Sequence, residues 1–411
     1  MKGVVKYAAL CASIVGALAV PAAQAKYDLI LRGGHVVDPR NNISAVRDVA
    51  IAGGKIAAIA PKIDAAAAAI VDASGLFVTP GLVDIHAHVY AGTGERGSYA
   101  GDLSVYPDVV APRSGVTTVV DVGGAGWRNF EDFKQRIIDR ATTRVFAFLN
   151  IVGHGMRGGK FEQNLEDMAA QATADMARRY PSFIIGVKTA HFSGPEWAPV
   201  ERAVEAGTIA NIPVMVDFGS RRPERPLSEL VTVKLRPGDI YTHVYSGLRG
   251  EQDPSGKVNP ALWAARKRGV LFDVGHGGTS FSWRIAVPAI KEGFLPDTIS
   301  TDMHVTSMSV GMKDLPNVMS KFLALGLSFD DIIRRTTANA ARAIRQEALG
   351  HLSVGAGADV AVWRIETGNF GFVDGPGQRV NATQKLVCEL TLRDGRVVYD
   401  LNGLTKPVWT R

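Results

Sequence analysis

The most regular feature of the chain is a series of short, nearly unbroken apolar runs, each closed by glycine or a polar side chain and followed by an amphipathic stretch. In order they read "GLVDIHAH" (81–88), "TTVVDVGG" (117–124), "RVFAFLNIVGHG" (144–155), "FIIGVKTAH" (183–191), "IPVMVDFGS" (212–220), "DIYTHVYSG" (239–247), "VLFDVGHGG" (270–278) and "TISTDMH" (298–304). Strands that are apolar on both faces are covered on both faces, which is the signature of a parallel sheet whose right-handed crossovers are helices. Eight such units between Gly81 and Gly350 suit the length of a closed (β/α)8 TIM barrel. The alternative is an open, doubly wound sheet.

The two ends of the chain have a different texture. "YDLILRGGHVVDP" and "DVAIAGGKIAAIAP" read as short strands with Gly33-Gly34 and Gly53-Gly54 as tight turns. "GADVAVWRIE" and "LVCELTLRDGRVVYD" repeat the style, with Asp394-Gly395 as a hairpin turn. The expected division is therefore a composite β-sandwich from residues 26–80 and 351–411, around a barrel at 81–350. Residues 1–25 combine Lys2 and Lys6, an apolar stretch and an Ala23-Gln24-Ala25 ending, which reads as a cleavable signal peptide of an exported, periplasmic or secreted protein.

Charge changes this picture little. Without the leader the net charge falls from +6 to +4, a scattered excess that gives no reason to expect a nucleic-acid partner or membrane binding after signal cleavage. Cys388 becomes the sole thiol, so no internal disulfide is expected and the residue reads as a small buried hydrophobe. A small-molecule substrate is the expected partner, and a homo-oligomer is compatible with the sequence.

Chemistry enters at the ends of the apolar runs. A strand has a side-chain period of two, so His86 and His88 point to one side and converge on one spot. A metal ion between them would accept both lone pairs; a hydrogen-bonded pair at a loop entrance is the plainer reading. Lys188, Asp217, His243, His276 and Asp302 also stand at or near the C-terminal ends of runs. Singly, each reads as a loop cap or a snorkelling lysine. Together they mark the rim on which barrel enzymes build active sites.

"TPGLVDIHAH", the lysine of "IIGVKTAH", the histidine of "IYTHVYSG" and "STDMH", with the flanking "GKIAAIAP" and "GHLSVGAGADVAVW", resemble the amidohydrolase superfamily of metal-dependent hydrolases, in its amidohydrolase/deacetylase and dihydroorotase-like branch. The resemblance spans nearly all of the chain after residue 25. It implies two divalent metal ions, zinc being the expected one, with His86, His88 and Asp302 on one ion, His243 on the other, and Lys188 bridging them as a carboxylated amine. It also implies hydrolysis by a metal-acidified water, with Asp302 shuttling the proton. An acyl amide or ester is the expected substrate, a cyclic amide or lactone the alternative, and a non-catalytic metal- or ligand-binding barrel the reading from a different class.

Two departures stand out. Where the superfamily commonly ends the strand before the His243 strand in histidine, this chain has Asp217, which is expected either to ligate the second ion through oxygen or to mark a one-metal site. His154, His191 and His276 are extra; they are expected to line the pocket and touch substrate, with His276 alternatively supporting a ligand from behind. Arg96, Tyr99, Arg113, Arg157, Arg221, Arg222 and Arg249 follow strands and are candidates to receive a substrate carboxylate. A serine-hydrolase reading finds Ser280 near His276 but no Gly-x-Ser-x-Gly elbow.

Overall fold

The structure is a computed structural model that describes residues 26–92, 96–219 and 221–410; the leader expected at 1–25 lies outside the described residues. Six strands come first: β1 (Tyr27–Asp38), β2 (Ile43–Ala52), β3 (Lys55–Ala60), β4 (Ala67–Asp72), β5 (Phe77–Pro80) and β6 (Leu82–Ala87). Then follow β7 (Val116–Gly126), β8 (Arg144–Asn150), β9 (Ile184–Thr189), β10 (Val214–Val216), β11 (Ile240–Tyr241) and β12 (Leu271–Phe272), and finally β13 (Val360–Val373), β14 (Arg379–Arg393) and β15 (Arg396–Asp400).

Strands β6 to β12 form one sheet in sequence order, every pair parallel. A doubly wound sheet reverses its order at a switch point, and this one does not. The stretch Thr298–Met303 takes the eighth position. Thr298 bridges Asp273 beyond β12, Met303 bridges Ala87 of β6, both parallel, and His88 N donates to the Met303 carbonyl at 2.8 Å. Both edges of the sheet are thus met by one segment, giving a TIM-barrel-like architecture in which "TISTDMH" is laddered without being a regular strand.

The helices outside the sheet follow local rules. Helix Phe329–Thr336 starts at Ser328, whose side chain accepts from Asp331 N, carries Asp330 and Asp331 in its first turn and Arg334 and Arg335 in its last, and buries Phe329, Ile332, Ile333 and Thr336. Helix Ala198–Ala210 has Pro199 in its first turn, stops at Asn211 in the left-handed region, and buries Val200, Ala203, Ala206 and Gly207 at helical spacing. Among the described residues no helix is long and apolar enough to cross a membrane.

The terminal segments join in a second sheet ordered β15-β14-β13-β5-β1-β2-β3, with β4 also paired to β1. Gly53 and Gly54 turn β2 into β3 with φ of +56° and +75°, and Asp394 and Gly395 turn β14 into β15 with φ of +48° and +74°; both are the left-handed pairs that tight hairpins need. Gly33-Gly34 is different from expectation. It is a bulge inside β1, where the register with β2 shifts and Gly33 N donates to Asp48 Oδ1 at 2.8 Å.

β13 serves two cores at once. Val360 and Val362 pack with Leu31, Val49 and Leu390 inside the small domain, while Ala361 and Trp363 pack with the barrel-side cluster, as the two-residue alternation of a strand requires. Cys388 is buried in β14, and burial pushes its thiol up to about 12, which leaves it a protonated, unreactive hydrophobe.

Candidate active site

The C-terminal ends of the parallel strands open into a cavity of about 310 Å³ lined by His86, His88, Tyr99, Lys188, His191, Asp217, His243, Arg249, Asp302 and His304 among others. β6 delivers the first two. His86 and His88 aim Nε2 at a single oxygen, Asp302 Oδ1, at 3.4 and 3.0 Å. The ligand atoms of these three residues lie within 4.8 Å of one another, the only such set among the described residues.

The donor set suits a divalent cation. Burial, and then the neighbouring Lys188, push His86 down to about 3, so the ring is the neutral species that ligates. Burial favours the neutral acid at Asp302, but the surrounding His86, His88 and His304 outweigh it and hold the carboxyl well below its usual range. Two neutral imidazoles and one carboxylate are a familiar hard-to-borderline ligand set. His86 Nδ1 is held by Thr242 Oγ1 at 3.0 Å, and Asp273 accepts from that hydroxyl at 2.8 Å and from Thr298 and Ser300 at 2.6 and 2.7 Å. This outer layer fixes the ring.

Lys188 ends β9 fully buried, with Nζ 3.3 Å from His86 Nε2, and desolvation lowers its pKa. Asp217, just past β10, is clamped from one side, since Arg249 Nη2 donates to Oδ1 at 2.6 Å. Its other oxygen faces His191 and His243 Nε2 at 3.5 and 3.4 Å. Burial works against ionisation of Asp217, yet Arg249 and His243 hold it well below the ordinary carboxylate range. Tyr99 sits among three imidazoles, its ring 4.9 Å from His88 and from His304 and 5.1 Å from His191.

Two expected pocket residues are elsewhere. His276 turns away from the cavity: its ring stacks on Phe281 at 4.7 Å, Nδ1 donates to the Gly277 carbonyl at 2.9 Å, and Nε2 accepts from the buried Lys321 Nζ at 2.6 Å. His154 packs on Phe161 and is not among the lining residues. The reason is the same for both. Each follows a glycine, Gly275 or Gly153, at which the strand alternation ends. Of the candidate arginines only Arg249 lines this cavity. Its Nε, Nη1 and Nη2 are engaged by Gly219, Ser246 and Asp217, so it supports Asp217 and is not free for substrate. Arg221 and Arg222 line an adjoining outer groove, Arg113 lines a separate one, Arg157 covers Phe161, and Arg96 is exposed.

Burial pushes Lys321 down from 10.5 to about 7. The unfolded chain therefore binds more protons than the folded one above neutrality, and stability rises with pH through that window. Relative to Lys321→Met, the native chain should gain about 2 kcal/mol between about pH 7 and 9, read from urea midpoints of both proteins; parallel pH profiles would show that the lysine stays charged.

Residues 298–399 match the model of the amidohydrolase family. Over 341 residues the chain is 33% identical to a deacetylase of Agrobacterium fabrum, covering 80% of this chain and 81% of that one. The chain belongs to the amidohydrolase superfamily. The architecture of this amidohydrolase agrees: an adenine deaminase structure superposes with a TM-score of 0.83 at 28% identity, covering 91% of this chain and 100% of that one. A dihydroorotase structure gives 0.80 at 28% identity, covering 90% and 99%. The metal dependence common in the superfamily accords with the His86–His88–Asp302 cluster.

Several site residues of this amidohydrolase went unread in the sequence. Asp273 shares a face with Leu271 one pleat earlier, and His304 stands two residues past Asp302. Glu162, which grips His191 Nδ1 at 2.7 Å, comes from a loop with no periodic signal at all.

Proposed function

We propose that this chain hydrolyses the acyl amide or acyl ester bond of a small molecule, as a deacetylase does. The observation that carries the reading is the convergence of His86 and His88 on Asp302 Oδ1 at the floor of a closed-in cavity, with a buried, charge-depleted Lys188 beside them. His86, His88 and Asp302 would hold a divalent cation, zinc by ligand type, and Lys188, carboxylated on its neutral amine, would bridge toward a second. When bound, such ions polarise a carbonyl and acidify water toward neutral pH.

The chain's own groups divide the remaining work. Asp302 commits Oδ1 to the two imidazoles, and Oδ2 is the oxygen left to take a proton from the attacking water and return it to the leaving nitrogen or oxygen. Burial and the nearby Asp302 carboxylate raise the pKa of Tyr99, keeping its hydroxyl a donor that can meet the carbonyl oxygen as negative charge builds there. Arg221 and Arg222, in the adjoining groove, are placed to receive a carboxylate on the leaving half. The leader read at residues 1–25 supports a substrate met outside the cytoplasm.

The test is a panel of N-acyl amino acids, acyl esters and cyclic amides, dihydroorotate among them, with metal-loaded protein. An acyl amide or ester should exceed every cyclic amide in kcat/KM by at least about tenfold, a margin of about 1.4 kcal/mol in transition-state binding. Dihydroorotate turned over as fast as the best acyl compound would overturn the reading.

A further inference from the structure

Asp217 occupies the position at which the superfamily resemblance calls for a histidine, and the missing imidazole has a counterpart close by. His191, two residues beyond β9, points Nε2 at Asp217 Oδ2 from 3.5 Å, and His243 points Nε2 at the same oxygen from 3.4 Å. The opposite nitrogen of each ring is already committed. His191 Nδ1 lies 2.7 Å from Glu162 Oε2, and His243 Nδ1 lies 2.6 Å from the Gly275 carbonyl. An ionised carboxylate and a carbonyl oxygen only accept, so both Nδ1 atoms carry the proton. The neutral rings then present two Nε2 lone pairs to a charged oxygen, an arrangement that repels unless a cation stands between them.

The backbone and the outer layer point the same way. His191 and His243 both adopt the left-handed region, with φ of +58° and +65°, as does Asp302 at +50°; such conformations are uncommon for these residues and cluster where a side chain must be aimed. Asp217 Oδ1 accepts from Arg249 Nη2 at 2.6 Å and Gly219 N at 3.2 Å, which fixes the carboxylate with Oδ2 toward the imidazoles. A carboxylate behind one histidine and a carbonyl behind the other are the supports that metal-bound imidazoles ordinarily have. The 3.4 and 3.5 Å separations also match the edge of about 3.3 Å expected between tetrahedral ligands at about 2.0 Å from zinc.

We propose that His191, Asp217 and His243 hold the second divalent cation, His191 supplying from the β9 loop the imidazole that Asp217 displaced from the end of β10. The inference rests on the metal-dependent reading of this cavity but not on which bond is cleaved. The set is more open than His86–His88–Asp302, the only one whose atoms all fall within 4.8 Å, so its ion is the weaker and leaves first on dialysis. The rival arrangement is a protonated His191 paired with Glu162 and Asp217, with no second ion.

Metal content, independent of turnover, separates the two. The full chain is equilibrated with excess Zn²⁺, desalted and analysed by elemental analysis, beside His191→Asn, in which asparagine tolerates the left-handed backbone. The native chain should retain two equivalents and His191→Asn one, with unchanged circular dichroism. Glu162→Gln should keep the fold and weaken the second equivalent by about tenfold or more in Zn²⁺ titration. One equivalent in the native chain, two in a folded His191→Asn, loss of both in that variant with the fold intact, or an unchanged second affinity in Glu162→Gln would each overturn the proposal. Failure of every acyl substrate with two equivalents bound would sink the hydrolase reading and leave this one standing.

Discussion

Asp302→Asn is expected to lower kcat by about 10³- to 10⁴-fold while the fold and the bound ligand survive. Asparagine has the volume of aspartate and is the side chain that best tolerates the φ of +50° found at residue 302. Its amide oxygen can still face His86 and His88, but an amide cannot carry a proton from water to a leaving group at neutral pH. Room for repair is small. A Cβ on Gly277 would fall 2.4 Å from Asp302 Oδ2, so the loop after β12 leaves no space for another acid to approach. The measurement is kcat on the best acyl substrate, with metal content and product affinity by calorimetry on the same sample. A loss below about tenfold would remove Asp302 from proton transfer; undiminished affinity in a native protein without turnover would favour a binding barrel.

The second large effect is on stability. Trp363→Ala should cost about 3–5 kcal/mol and lower Tm by roughly 5–10 °C. The indole is fully buried; its Nε1 donates to Thr79 Oγ1 at 2.9 Å. Its benzo edge fills the space above Gly115, where a Cβ would come within 2.4 Å of the ring. Truncation leaves a cavity the size of a bicyclic ring between two cores that share β13, and neither sheet can collapse into it without shifting the other. Gly115 immediately precedes β7, at the end of the barrel opposite the cavity, so the folded variant should keep its kcat at low temperature. A cost under about 1 kcal/mol would mean that the two cores are not coupled through this side chain.

These outcomes also mark what was legible in the chain. Seven parallel strands were readable because burial on both faces leaves continuous apolar runs, and His86 and His88 because a period of two is a rigid rule. The eighth run was readable as a position but not as a regular strand. Thr298, Ser300 and Thr301 spend their hydroxyls on Asp273 and Asp84, a use of polar groups that propensity does not anticipate. Gly33 looked like a turn because a bulge and a turn demand the same left-handed residue. His154 and His276 were misplaced because alternation cannot be carried past a glycine. The wide helical turns at Lys134–Ile138 and Leu230–Lys234 have no sequence period of their own. His191 was visible as a pocket residue, whereas its grip by Glu162 is a purely tertiary fact.

β5 runs through Gly81 directly into β6, and its Phe77–Pro80 stretch is pinned between β1 on one side and β13 on the other. The imidazoles of His86 and His88 are therefore cantilevered from the terminal module by a few residues of extended chain. That module is a foundation rather than an ornament: exchanging mouth loops offers a way to retune which molecules enter, while trimming either chain end would loosen the anchorage on which the chemistry is mounted.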